Sequence, residues 1–474
     1  MSGSTVGLKA MNLMTGLRSI GVVVATSVFL LGCASVHNFP VNVPLSANVP
    51  ADKEKIGFED PAALDDSLVG LSFSGGGTRA AAFSFGVLQE MERVPVRGTG
   101  GTMLDRIDFI SGVSGGSVTA AYFGLKKRAA LADFRERFLL RNAEEGLTTE
   151  LSLGTIGRAF SGGINDSTGF TKWLDANLFG GATFEQFRAG RPRIWINASD
   201  IYNHVPFVFG ANAFTAICSD LNRYPISSAV AASAAVPIAF APAVVKAYPG
   251  TCNDPLPPWI AKAAANRNAS PMLSSYAKAI MRYRDGAIPF IKLMDGGLVD
   301  NYGISGFTIE RESSDTPYGP LTPQQAVKLR RAMFLVVDSK AGLTGNWVNT
   351  LEGPSGVELL SAAVDTTIDA SVGASYSAFD RAMKDWQASL IKWRCSLSSA
   401  ERARYGVRPG WNCKELNFFI GRLGFDQLDP ARAATLETVP TRFHLPQQQV
   451  DDVIAAGRDT LRASPVFQAF ARGL

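Results

Sequence analysis

Residues 107–121 of the 474-residue chain read IDFISGVSGGSVTAA. The apolar run 107–110 is expected to be a buried strand. It breaks into Gly112-Val113-Ser114-Gly115-Gly116, and small helix-compatible residues follow. A G-x-S-x-G between strand and helix holds its serine on a strained turn, with the hydroxyl pushed clear of the sheet. Ser114 is therefore a candidate nucleophile. Two more glycine-bearing sequences follow expected strands, Ser74-Gly75-Gly76-Gly77-Thr78-Arg79 and Asp295-Gly296-Gly297. In a parallel α/β sheet the carboxyl ends of the strands share one edge, so the three short sequences are expected to converge there.

Together they resemble the patatin-like phospholipase family, which carries a G-G-G-x-R/K loop, a G-x-S-x-G and a D-G-G/A in that order. Residues 232–242, ASAAVPIAFAP, are similar to the family's small-residue segment ahead of the acid. The resemblance covers residues 68–306. It implies a Ser–Asp pair, with Ser114 as nucleophile and Asp295 as base, and a glycine loop, Gly75, Gly76, Gly77 and Arg79, that forms the oxyanion hole, with Arg79 either steadying the loop or adding positive potential to it. Burial raises an aspartate's pKa towards a value useful for taking a hydroxyl proton. Backbone N–H groups at a helix start can face the developing oxyanion without interference from side chains. The activity implied is lipid acyl-ester hydrolysis, of the phospholipase A or lysophospholipase type, on membrane phospholipid or a related acyl lipid. No metal or organic cofactor is implied.

The elements that would position these residues alternate. Residues 68–73 form an expected strand. Phe83, Val87 and Met91 then share one face of a helix, and the strand and elbow at 107–114 complete a β-α-β unit. The fold class expected is α/β, a three-layer α/β/α sandwich with a mostly parallel sheet, plus a largely helical C-terminal extension. Residues 193–199 and 205–209 read as strands, as do 290–294, 333–337 and 416–420. The nearly uncharged run 227–245 carries Pro237 and Pro242, which argues for a buried helix ending at Val236 rather than a membrane span. Val364, Ile368, Val372, Tyr376, Phe379, Met383, Trp386, Leu390 and Trp393 recur at helical spacing, a long amphipathic helix whose stripe is expected to be core. A last helix is expected over 447–461, with Pro446 in its first turn.

Arg18, the apolar run 20–31 and Leu30-Leu31-Gly32-Cys33 resemble a bacterial lipoprotein leader with its lipobox. Cys33 would carry the lipid, and the Ala34 after it points to the outer membrane of a bacterial envelope. The organisation expected is a signal peptide at 1–32, a Pro- and Asn-rich tether at 33–66 and a catalytic domain at 67–345. That domain carries an insertion at about 253–284, expected as a surface excursion. A mainly helical region at 346–474 is expected to pack on it. The partners implied are lipid substrate and membrane. Net charge is +4 without any basic run, so nucleic acid is not a partner. Cys218, Cys252, Cys395 and Cys413 allow two disulfides, and proximity favours 218–252 with 395–413. Their spacing and the three histidines argue against a metal centre.

Three other readings compete. A Ser-His-Asp hydrolase could use Ser114, Asp295 and His444, in that chain order. A catalytically silent outer-membrane scaffold would keep the fold alone. A nucleotide site at Gly75-Gly76-Gly77-Thr78-Arg79 lacks both phosphate-binding signatures and is set aside.

Overall fold

The computed structural model describes residues 36–46, 66–148, 162–188, 190–342 and 345–474. The expected leader, Cys33 and most of the tether lie outside them. Among the described residues eight strands form one sheet, in the order β5-β6-β3-β2-β1-β7-β8 with β4 beside β3. The strands are β1 Ser67–Phe73, β2 Phe109–Val113, β3 Arg193–Asp200, β4 Val205–Val208, β5 Ala243–Lys246, β6 Phe290–Asp295, β7 Arg331–Val337 and β8 Asn417–Leu423. Pairs β1–β2, β1–β7, β2–β3 and β7–β8 are parallel, whereas β4 and β6 run antiparallel to β3, and β5 to β6. The expected mostly parallel α/β architecture is therefore present, in a sheet that the antiparallel pairs make mixed.

Alternation within the central strands explains the layers. Val69, Leu71 and Phe73 of β1 face one core with Met333, Leu335 and Val337 of β7. Leu68 of β1, with Ala332, Phe334 and Val336 of β7, faces the other. Strands buried on both faces read as continuous apolar runs, which is why they were visible in the sequence.

Helices α1 (Gly77–Arg93), α2 (Gly115–Lys126), α3 (Ile226–Ser233), α4 (Pro258–Ala265), α5 (Pro271–Arg284), α6 (Gly297–Asp300), α7 (Gly356–Ser396), α8 (Gln447–Ala463) and α9 (Pro465–Ala471) fill the layers, with shorter turns between them. α3 ends at Ser233, short of the expected Val236, because Pro237 disfavours helical backbone at the residue before it. The insertion is not an outlying excursion. α5 buries Leu273, Tyr276, Ile280 and Tyr283 in the main core, and the Tyr283 hydroxyl donates to Asp200 Oδ2 at 2.5 Å. The C-terminal region adds β8 to the sheet edge and lays α8 along α1, where a Cβ on Gly86 would come within 2.1 Å of Ile454 O. Disulfides join Cys218 to Cys252 and Cys395 to Cys413, the pairing that proximity favoured.

α7 runs alongside β7 in the opposite sense. Phe379, Met383, Trp386 and Leu390 are buried against the sheet, as the stripe implied. Its first turns are not core, and Leu359 and Leu360 face solvent. No helix among the described residues is long and apolar enough to cross a membrane.

Candidate active site

β2 extends to Val113 and α2 begins at Gly115, so the turn between them is Ser114 alone. Ser114 has φ 50° and ψ −121°, backbone that a side-chain-bearing residue adopts only when its surroundings enforce it. The enforcing groups are visible. The Ser114 N–H donates to Ser233 Oγ at 2.8 Å, and that hydroxyl donates onward to Asn197 O at 2.6 Å. The Ser114 carbonyl accepts from the Ser117 N–H and hydroxyl. A Cβ on Gly116 would lie 2.5 Å from the carbonyl oxygens of Phe73 and Ser74, where β1 ends. Gly112 excludes a side chain for a different reason: its Cβ would strike the backbone of Ser117 in α2.

Asp295 reaches Ser114 by a route that a parallel sheet does not provide. β6 runs antiparallel to β3, so Asp295 comes to the expected meeting place on a strand of the opposite sense. The three sequences converge as expected; it is the parallel sense of this strand that is corrected. Register explains its position: Val113 pairs with Asn197, and Ala198 pairs with Asp295. Ser114 and Asp295 therefore stand at the same level on opposite sides of β3. The Ser114 hydroxyl is near enough to the Asp295 carboxyl to favour its charged form, and the Gly297 N–H donates to its Oδ1 at 2.8 Å. Amides of Asp295 and Gly296 donate to Ala235 O and Ser233 O, tying the strand end to the end of α3.

Both side chains are nearly inaccessible, Ser114 at 3% and Asp295 at 6% exposure. Burial pushes the Asp295 carboxyl up to about 6, against the lowering effect of the bonds from Gly297 and Ser114. The carboxyl is thus still ionised at neutral pH, yet far more basic than an ordinary aspartate.

The glycine loop abuts this pair. Gly75 packs against the Cβ of Ser114, and a Cβ on Gly115 would come 1.9 Å from Gly77 O. The Gly75 amide donates to Asn301 O at 3.1 Å, so it does not point to a reacting oxygen. Among the described residues nothing accepts from the amides of Gly76 and Gly77. Gly77 has φ 59°, and a side chain there would meet Arg442 O at 2.4 Å.

Of the two roles open to Arg79, the structure shows the bracing of the loop. Its buried guanidinium donates from Nε to Ser339 O at 2.7 Å, from Nη1 to Val439 O and from Nη2 to Thr441 Oγ1 at 3.0 Å. Every arm is spent on tying the loop to the segments after β7 and before α8, so the side chain does not face an oxyanion. Burial lowers its pKa to about 10, and Asp338 and Asp365 oppose that shift.

Arg442 itself carried no expected role at the site. The Thr78 N–H donates to Arg442 O at 2.7 Å, and Glu144 accepts from the Phe443 amide and pairs with Arg442. Asp300 closes the turn after α6 by accepting from Gly303 and Ser305. His444 is exposed, and Asp295 meets Ser114 with no imidazole between them. Ser233 and Asn197 lacked any signal beyond Ser233's place in the small-residue segment.

Such an arrangement can activate a hydroxyl with a buried carboxylate and hold an oxyanion on two free amides. In solved structures, human GIVD cytosolic phospholipase A2 is similar at 13% identity and a TM-score of 0.39, over 85% of this chain and 59% of that one. Its complex with methyl γ-linolenyl fluorophosphonate and terbium chloride gives 12% and 0.37, over 86% and 60%. VipD from Legionella pneumophila gives 12% and 0.25, over 83% and 67%. This chain spans about three fifths of the length of the human enzyme. No curated protein matches it. Residues 71–308, half of the chain, match the profile of the patatin-like phospholipases, and the chain belongs to that family.

Proposed function

We propose that this protein is a lipid acyl-ester hydrolase working through Ser114 and Asp295. The observation that carries the reading is the placement of the strained Ser114 and a buried carboxylate at the same level on either side of β3. Ser114 Oγ attacks the ester carbonyl carbon while its proton passes to Asp295. The carbonyl oxygen becomes an oxyanion facing the Gly76 and Gly77 amides. Collapse breaks the ester C–O bond, and the departing alcohol takes the proton from Asp295. Water then attacks the acyl-enzyme and gives a proton to Asp295; collapse returns it to Ser114 Oγ and releases the fatty acid.

The substrate class is membrane phospholipid or a related acyl lipid, in keeping with family membership. The same proposal includes lipidation of Cys33 and attachment to the outer membrane of a bacterial envelope, supported by the Leu-Leu-Gly-Cys sequence; a Cys33→Ser chain recovered in the soluble fraction, against a membrane-bound parent, tests it.

A fluorophosphonate probe tests the chemistry. It should label wild-type protein at Ser114 and leave Ser114→Ala unlabelled, while product profiling shows fatty acid released only by the wild type. Labelling elsewhere, or equal product from both proteins, overturns the reading. His444→Ala should hydrolyse esters within twofold of wild type, and its inactivation would restore the triad alternative.

A further inference from the structure

The lower part of α7 and β7 run side by side for a matched distance. Arg394 Nη1 donates to Leu329 O just below β7, and Lys340 just beyond it pairs with Asp369 at 3.0 Å. At roughly 1.5 Å per helical residue, Asp369 to Arg394 covers about 37 Å. At roughly 3.3 Å per strand residue, Leu329 to Lys340 covers about 36 Å. Helix and strand therefore keep pace up to the carboxyl edge of the sheet. The turns of α7 ahead of Asp369 have no strand beside them, and project about 20 Å beyond that edge.

This projection exposes large apolar side chains that have no partner among the described residues. Leu359 and Leu360 are exposed, as are Val348 and Leu351 in the turn that leads into the helix, Leu351 at 99%. Several large apolar side chains on one prominence are not the scattered singles of an ordinary surface. The prominence leaves the fold beside the brace of the glycine loop, since Lys340, which pairs with Asp369 of α7, follows Ser339, whose carbonyl accepts from Arg79. β3 is parallel to β7 through β2 and β1, so the turn after β3 projects past the same edge. It exposes Ile201 and Tyr202, and the Ile201 amide donates to Lys292 O beside the exposed Phe290. Apolar prominences thus stand on both sides of Ser114.

Charge selects the partner. From residue 341 to 380 there is no Lys or Arg, whereas Glu352, Glu358, Asp365, Asp369 and Asp380 are acidic. An anionic surface would be repelled there.

We infer that the start of α7 and the turn before it dock the catalytic edge on a zwitterionic phospholipid bilayer, with Val348, Leu351, Leu359 and Leu360 entering the interface. The inference rests on the lipid-hydrolase reading for its choice of partner, and its test does not require turnover. Insertion of a few aliphatic side chains at the headgroup boundary is the way interfacial helices bind. Docking there would turn the catalytic edge, with its glycine loop, towards the bilayer.

The test uses the full chain carrying Cys33→Ser, so that a lipid anchor cannot mask the effect, and Ser114→Ala, so that vesicles stay intact. Replacing Val348, Leu351, Leu359 and Leu360 together by serine should weaken partition onto phosphatidylcholine vesicles at least 30-fold. Raising salt from 0.05 to 0.5 M should change binding of the parent less than twofold. In a second chain, Leu359→Trp should be quenched by brominated phosphatidylcholine, a readout that also reports a folded tip. Undiminished vesicle binding by the serine variant, or an unquenched Trp at 359, overturns the inference. So does a parent that is dimeric by light scattering and becomes monomeric in the serine variant while vesicle binding persists. With Ser114 restored, the serine variant should hydrolyse a soluble short-chain ester within twofold of wild type. Failure of both proteins on that ester would strike the hydrolase reading and leave the docking result standing.

Discussion

The ground under Ser114 and the rim above it are built in opposite ways. Under Ser114 each backbone group is committed: its amide to Ser233, its carbonyl to Ser117, the amides of Asp295 and Gly296 to the end of α3. On the rim, Leu351, Leu359 and Leu360 stand in solvent. Hydrogen bonds in a buried place fix geometry because leaving any of them unmade is costly. Apolar side chains at a surface carry no such direction and adapt to what they meet. The two regions therefore suit two tasks, holding reacting atoms still and meeting a fluid lipid surface. Substitutions in the ground should damage turnover on every substrate, whereas substitutions on the rim should be felt only on vesicles.

The sharpest test of the ground is its centre. Ser114→Ala and Asp295→Asn should each lower kcat by about 10⁴–10⁶-fold, the range seen when one member of a nucleophile–base unit is removed. Combining them should add little, since neither group acts without the other. A double variant as much as 100-fold below either single one would show independent roles. Next in size is Gly77→Ala. Its φ of 59° and the 2.4 Å approach of a Cβ to Arg442 O force the loop to shift. A loss of about 10²–10³ in kcat is expected, the cost of misplacing oxyanion donors. Retained activity in Gly77→Ala would remove the loop from the mechanism.

The same contrast governs what was legible in the chain. The elbow was readable because a strand, a one-residue turn and a helix lie within a dozen consecutive residues, and glycines mark the close approaches. The central strands were readable because burial on both faces leaves them apolar throughout. The antiparallel sense of β6 was not, since strand direction depends on connections across the whole sheet rather than on the residues of the strand. Ser233, Asn197 and Arg442 act on the site through hydrogen bonds across long sequence separations, which composition and spacing do not encode. Arg79 was legible only as one of two roles, steadying the loop or lending it positive charge; its length lets the guanidinium pass the site and bind carbonyls of residues 339 and 439, which is the first. The α7 stripe was right for Phe379 to Leu390, which are buried, and for Val372, Tyr376 and Trp393, which pack half-buried on the same core. Periodicity alone could not say where the sheet beside it stops.

A third test of the ground is its response to pH. Asp295 is held near 6 by burial, above the ordinary value of 3.8. As a base it must be ionised, so turnover of a soluble ester should rise with pH through about 6 and then level. Stability moves in the other direction. Between about 4 and 6 the folded state binds a proton that the unfolded state has released, so this group's contribution falls as pH rises. At neutral pH the buried charge costs about 3 kcal/mol, two pKa units at about 1.4 each. Asp295→Asn, inactive, should therefore be more stable than wild type at pH 7 by up to that amount and lose its advantage near pH 4. Denaturant melts at the two pH values would show it, and an advantage that does not depend on pH would point to packing instead.

The smallest effect expected in the ground is that of Ser233→Ala, and it divides the two regions most finely. The hydroxyl accepts the Ser114 N–H and donates to Asn197 O. Removing it leaves a buried amide and a buried carbonyl without that bridge, for a loss of about 1–3 kcal/mol in stability. Ser114 would keep its place in the turn, because Ser117 still holds its carbonyl and Gly116 still packs on the end of β1. The elbow is loosened rather than lost, so kcat should fall about tenfold while the pH at half-maximal rate stays where Asp295 sets it. The loss should be equal on a soluble ester and on phosphatidylcholine vesicles, as a change beneath the serine does not touch the rim. A drop confined to vesicles would mean that Ser233 shapes the docking surface, and the separation between ground and rim would fail.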